Sequence, residues 1–393
     1  MTMADNEMNK RLLPPVLAGF FVMGFCDIVA PVSGRIAAGL PASMQGAASF
    51  LPTMVFLWFL VLSAPLAGVM NRIGRRAMAL AGYAFTAAGL MVPYAAGEGA
   101  SLGWYFAGFG LLGVGNTAIQ VSMNPLLAAI VPAQRMTSLL TVGQIFRNTS
   151  LLLLAPVMTV LAAATGSWRL LLPIYAAVTA VCGVWLARTR VPEPARREAA
   201  AGMADCFRLL REPAVAVAAF GIGAFIAADV GIGFLSSRLL ARPDSILTTT
   251  GFYACRIVGT LVGAWVLLRF SDIRYLRWNM CAAAALVALL LFVRGDAAVY
   301  VLIGLLGFTL SCVFATFYAV ATRHAPGRSN EVAGLSIMMI AAGALSGPAI
   351  GLIARLAGGM RFGLLYVLAC VLYLVWASFR LEPNNIINKE NHA

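Results

Sequence analysis

Charged residues are scarce in this sequence: Asp, Glu, Lys and Arg make up 11% of 393 residues, where an ordinary soluble domain carries about 25%. That scarcity excludes a water-filled surface as the main environment. Histidine is nearly missing, with only His324 and His392, so neither a buried catalytic triad nor a histidine metal site is available. The seven cysteines, Cys26, Cys182, Cys206, Cys255, Cys281, Cys312 and Cys370, stand singly, with no CxxC and no metal-ligand spacing. No GxxxxGK[ST] loop occurs, which argues against direct ATP hydrolysis. Apolar and polar residues nowhere alternate at period two over windows of about ten, so a transmembrane β-barrel is set aside. The expectation is a protein that is not an enzyme and needs no cofactor and no metal.

What the chain has instead is hydrocarbon. Its residues are 61% hydrophobic, with a mean hydropathy of +0.88, gathered in stretches of roughly 20 to 27 residues, the length at which a helix crosses a bilayer core of about 30 Å. Twelve spans are expected, at 16–38, 46–70, 77–97, 102–130, 137–163, 168–188, 213–236, 246–268, 275–293, 297–322, 332–356 and 362–380. Prolines and glycines such as Pro41, Gly97, Pro132, Gly166, Pro213, Pro243, Gly295, Pro326 and Gly358 punctuate them.

The formal net charge of +13 sits in short runs between spans rather than in a stripe with exposed aromatics, so nucleic acid is not an expected partner. With an even number of spans, one face of the membrane receives nineteen of the 28 Lys and Arg and the other seven; Arg147 and Arg256 lie inside helices. The bias predicts both termini in the cytoplasm of a multi-pass inner (plasma) membrane protein. The polar N-terminus leads into an apolar segment too long for a signal-peptide core, so no cleavage is expected.

The longest polar stretch, Arg188 to Glu212, reads as a linker. It divides the chain into a six-helix bundle at 1–188, a cytoplasmic linker at 189–212 and a second six-helix bundle with a short tail at 213–393. The halves echo each other: the second span ends in a glycine–arginine run from Gly68 and the eighth in a similar run from Gly263, 195 residues later, while Asp27 and Asp229 lie 202 apart. A duplication of six helices is the parallel-repeat plan of major facilitator transporters.

The run Gly68-x-x-Asn71-Arg72-x-Gly74-Arg75-Arg76 resembles the gating-loop motif of the major facilitator superfamily, GxLaDRxGRR, with Asn71 where an aspartate is usual. Gly19-Phe-Phe-Val-Met-Gly24-Phe-Cys-Asp27-Ile-Val-Ala-Pro31, together with Gly113 to Pro125 and the segment around Gln144 to Arg147, is similar to helices one, four and five of the fucose/galactose/glucose:proton symporters, the fucose permease group. The resemblance implies an all-α fold of twelve transmembrane helices in two bundles related by a pseudo-two-fold axis. It also implies a monomer working by alternating access around a midplane site. In that family a helix-one aspartate and a helix-four glutamate serve proton coupling and sugar binding, with a glutamine and an asparagine on helix five. The aspartate falls on Asp27 and the glutamine on Gln144; Gln120 holds the glutamate position and Arg147 that of the asparagine.

Charges at bilayer depth cost about 2.5–3.5 kcal/mol on insertion scales, so each needs a partner or a wet cavity. Asp27 is read as the proton-coupling residue, and a static ion pair with Arg147 stands as its alternative. Gln120, Gln144, Arg147, Asn116, Asp229 and Arg256 are the candidate substrate-binding residues; Asn116, Gln120 and Asn124 form one polar stripe at i, i+4 and i+8. Neutral amides suit sugar hydroxyls, and Arg147 would suit a carboxylate through its planar fork. The glycine-rich stretch 343–351 is expected to let helices approach closely. The leading expectation is proton-coupled uptake of a small polar solute, a monosaccharide or a derivative. A proton-driven exporter of amphipathic compounds and a non-transporting membrane sensor remain open beside it.

Overall fold

The computed structural model describes residues 11–48, 50–97, 101–191, 203–236, 238–240 and 245–382. Linker residues 192–202 with Pro192 and Pro194, Pro243, and the tail with His392 lie outside them. Among the described residues there is no strand, and the regular structure is helical. Its membrane-length helices are α1 Leu13–Ala38, α2 Ser43–Ile73, α3 Arg75–Ala95, α4 Leu102–Ile130, α5 Ala133–Thr165, α6 Trp168–Arg188, α7 Pro213–Ser236, α8 Ser245–Val266, α9 Asp272–Leu290, α10 Asp296–His324, α11 Ser329–Leu356 and α12 Met360–Arg380.

Each of the twelve expected spans corresponds to one of these. Ten are apolar enough to cross a membrane on length and composition. The other two are α4, 29 residues long but diluted by glycines and amides, and α8, whose apolar part is Thr250–Val266. Helices are the form that apolar runs must take in lipid, since every backbone N–H and C=O then finds a partner within its own segment.

The described residues gather into two compact units: 1–131, 146–206 and 329–338 in one, 132–145, 207–328 and 339–393 in the other. The first residues of α5 and of α11 therefore belong to a different unit from the rest of those helices. Within the first unit, α3 and α4 meet at a seam of glycines. A Cβ on Gly82 would lie 2.8 Å from the Gly115 carbonyl, and one on Gly115 2.6 Å from the Gly82 carbonyl, so backbone touches backbone.

Two features differ from the expected plan. Helix α11 turns 3₁₀ over Ile340–Leu345. Beyond that turn, Gly347 has its nearest neighbour, a Phe234 ring atom, 3.7 Å from a built Cβ, and Gly351 has nothing within 4 Å. Gly347 therefore makes ordinary van der Waals contact with Phe234 of α7, and Gly351 stands in open space, so the close backbone approach expected of this stretch is not found at either. The second feature is a short helix, Met203–Arg208, inside the polar linker. Its Cys206 is buried, as is Leu209 just beyond it, a burial hidden in the sequence by the surrounding arginines. Burial pushes the Cys206 thiol up to about 12, assisted by the nearby negative charges of Glu331 and Asp205.

Candidate functional site

Helix α1 is not continuous. Its α-helical backbone gives way to a 3₁₀ stretch at Gly24–Ile28 and resumes at Val29. A 3₁₀ turn bonds three residues back rather than four, which disturbs the carbonyl ladder at the junction. Asn116 of α4 meets that disturbance, donating its Nδ2 to the carbonyls of Val22 and Met23 at 3.4 and 3.2 Å. Gly24 lets α5 come against the same point, because a Cβ there would sit 1.9 Å from Ser150 Oγ and 2.9 Å from the Arg147 carbonyl. On the other side Phe25 stacks on Tyr175 of α6 at 4.2 Å.

The broken turn carries Asp27. Arg147 Nη2 donates to its Oδ2 at 3.1 Å, with the two side chains 14% (Arg147) and 32% (Asp27) exposed. The pair is thus only partly enclosed by protein. Removing one member of a buried ion pair leaves a charge uncompensated at a cost of about 3–5 kcal/mol; here partial exposure lowers that figure.

The amide stripe of α4 forms a ladder. Gln120 Nε2 donates to Asn116 Oδ1 at 2.7 Å, and Asn124 Nδ2 donates to the Gln120 carbonyl at 3.1 Å. All three residues are buried, and Gln120 Oε1 and Asn124 Oδ1 have no hydrogen-bond partner. Asn148, also buried, has an unsatisfied Nδ2. An unmet buried polar atom costs about 1–3 kcal/mol, so each marks either water or a ligand to come. These residues belong to the first unit; Gln144, buried with its Nε2 unsatisfied, belongs to the second.

The second unit has its own pair. Arg256 Nη1 donates to both carboxylate oxygens of Asp229, at 2.7 and 2.9 Å, and the side chains are 8% and 19% exposed. The guanidinium also lies 5.4 Å from the Phe225 ring and 5.6 Å from that of Phe252, within cation–π reach. This pair is drier and more tightly held than the one on α1.

At the motif, Gly68 and Arg72 lie in α2, Gly74 at its end takes a φ of 93°, and Arg75 and Arg76 begin α3. Asn71 Nδ2 donates to Glu331 Oε1 at 3.2 Å and its Oδ1 accepts from Asn330 Nδ2 at 2.6 Å. Arg75 donates to Asn330 Oδ1 at 2.8 Å, Ser329 Oγ at 2.6 Å and the Pro125 carbonyl at 2.9 Å. Arg76 donates to the Leu186 and Ala187 carbonyls at the end of α6.

In the second unit, Asp272 accepts from Arg323 at 2.8 Å and from Thr137 Oγ1, near the start of α5, at 3.2 Å. Sequence reasoning missed Ser329, Asn330, Glu331, Asp272 and Arg323 as partners of these loops. The one signal available was that Glu331 and Asp272 open helices in an acid-poor chain.

Membrane-length helices, ten of them apolar enough to cross a bilayer among the described residues, define a polytopic membrane protein, and the chain, matching the Major Facilitator Superfamily over residues 16–348, belongs to that family. It is a multi-pass membrane protein and a secondary transporter, not an enzyme. Over 406 aligned residues, 96% of this chain and 98% of the relative, it is 22% identical to a protein from each of two strains of Helicobacter pylori, named "Putative glucose/galactose transporter". Among solved structures it is similar to the Escherichia coli fucose:proton symporter FucP, with a TM-score of 0.83 at 14% identity over 96% of this chain and 100% of that one. It is also similar to the proton:xylose symporter XylE, with a TM-score of 0.72 at 12% identity over 95% and 96% of the two chains. These likenesses show the fold.

Proposed function

We propose that the chain takes up a monosaccharide or a close derivative by proton symport across the inner membrane, with both termini in the cytoplasm, working as a monomer by alternating access. The observation that carries this reading is the Asp27–Arg147 pair, an acid on a broken turn of α1 whose Oδ2 accepts from Arg147 at 3.1 Å and whose side chain is one-third exposed. An acid so placed can exchange its cation for a proton without leaving the helix, which is what coupling requires.

Within the first unit Asn116 positions the turn, Gly24 brings α5 to it, and Gln120 and Asn148 supply unsatisfied amide atoms suited to hydroxyl groups; Gln144, in the second unit, carries another such atom. The names of the Helicobacter pylori relatives and of FucP and XylE support the sugar class. Asp229 and Arg256 are proposed as a fixed pair joining α7 to α8 beside the route. The residues from Gly68 to Arg76 are proposed as the gating loop.

The test is uptake into proteoliposomes holding the full chain. An inward proton gradient should concentrate a labelled substrate found by counterflow, and Asp27→Asn should abolish that accumulation while leaving counterflow measurable. Accumulation that survives in Asp27→Asn removes Asp27 from the coupling step.

A further inference from the structure

We propose that α4 meets the solute with hydrogen-bond acceptors alone. The broken turn of α1, acting through Asn116 and Cys26, fixes Gln120 so that its Oε1 accepts from a solute hydroxyl, and an analogue without that O–H is turned away. This deepens the sugar-symport reading and rests on it.

The polarity of α4 is set from the backbone outward. A carbonyl oxygen can only accept, so the Val22 and Met23 carbonyls fix which end of the Asn116 amide faces α1: its Nδ2 donates to them at 3.4 and 3.2 Å. The Oδ1 is thereby left for Gln120, whose Nε2 donates to it at 2.7 Å. The Cys26 thiol completes the lock. Its hydrogen goes to the Met23 carbonyl at 3.2 Å, so the sulfur is left to accept, and Gln120 Nε2 donates to it at 3.7 Å. The two hydrogens on Gln120 Nε2 thus have two acceptors inside the protein. The amide cannot turn over without setting Oε1 against Asn116 Oδ1 and the sulfur. The lock also accounts for an amide at position 120, since an ionised glutamate there has no hydrogen to give Asn116 Oδ1. One turn on, Asn124 repeats the pattern, its Nδ2 donating to the Gln120 carbonyl at 3.1 Å.

What remains on α4 is oxygen. Gln120 Oε1 and Asn124 Oδ1 are both without a partner, and both residues are fully buried. An acceptor buried and unmet is costly, and a donor brought by the solute relieves that cost. On α5 stands the complementary group, because Asn148 is buried with no partner for its Nδ2. Both helices reach the same turn of α1: Asn116 at the Met23 carbonyl and, from α5, the Arg147 carbonyl and Ser150 against Gly24. A solute that meets both must donate to α4 and accept from α5. A hydroxyl does both. An ether, ketone or carboxylate oxygen can only accept, and an ammonium can only donate.

The experiment is counterflow in proteoliposomes of the full chain with labelled glucose, galactose, fucose and xylose, followed by competition with the monodeoxy and monodeoxyfluoro analogues of whichever sugar exchanges. The expected result is at least one hydroxyl position at which both analogues compete about tenfold to a hundredfold more weakly than the parent, the range set by leaving one buried polar atom unmet. Fluorine is the decisive substitution, because it keeps nearly the size of the hydroxyl and lacks its hydrogen.

Gln120→Leu should bring the parent down to the level of these two analogues at that position and leave the discrimination at other positions as it was. Asn116→Ala, in which the Gln120 amide is free to turn, should narrow the same discrimination severalfold. A residue that merely supported the fold would weaken the parent and every analogue alike. Both variants are checked for folding by circular dichroism and size-exclusion chromatography. Fluoro analogues that compete as well as the parent at every position would overturn the inference and leave the symport reading standing. Undiminished discrimination in either folded variant would overturn it too. Exchange of no sugar by the folded, unaltered chain would overturn the inference and the symport reading together.

Discussion

At position 71 the chain carries an amide where the loop motif of its family has a carboxylate, and the reason is visible one hydrogen bond away. The acid has moved: Glu331, in the first turn of α11, supplies the negative charge, and Asn71 donates to it. In the second unit the acid stays at the head of α9, as Asp272, and accepts from Thr137 and Arg323. Restoring the usual residue should therefore harm this protein. Asn71→Asp removes a donor to a charged acceptor, worth about 1.5–3 kcal/mol, and sets two carboxylates face to face. Its thermal midpoint in detergent should fall by several degrees, and Asn71→Asp with Glu331→Gln should recover most of that by inverting donor and acceptor. If the double variant is no more stable than Asn71→Asp, the two residues do not act as a pair.

Among the elements, α1 does the most specific work. Its spans of apolar residues are legible in the sequence, and so is Asp27 as the lone acid, because lipid makes every intramembrane charge conspicuous. The break that presents Asp27 is legible only in part. Pro31, four residues on, has no N–H to offer the Asp27 carbonyl, which marks the neighbourhood of the break, but the turn is also held from afar by Asn116, 93 residues on from Met23, and by the flat back of Gly24. For the same reason the polar stripe of α4 can be seen in the sequence while its use cannot: Asn116 and Gln120 bond to each other and to α1 before any solute arrives. Gly24→Val should separate α1 from α5 through collision with Ser150 and the Arg147 carbonyl, an overpacking cost of about 1–3 kcal/mol. The expected outcome is protein that still folds, by circular dichroism and size-exclusion chromatography, with counterflow reduced at least tenfold. Unchanged counterflow would mean that the close approach at Gly24 does not position the pair.

Over the whole molecule, the number and order of helices follow from hydrocarbon length alone, since a segment must satisfy its own backbone to cross. What that rule leaves open is which distant segments join. Residues 329–338 sit in the first unit and 132–145 in the second, and there Glu331, Asn330 and Thr137 make hydrogen bonds to Asn71 and Asp272, partners far away in the sequence. The functional claim is simpler than the fold: one acid, released from one arginine, carries the proton. Its most direct measurement is the proton count on substrate binding, read with a pH indicator in weakly buffered solution of purified protein. The account predicts close to one proton taken up per substrate bound by the unaltered chain, and none by Asp27→Asn. An equal uptake by Asp27→Asn would contradict it.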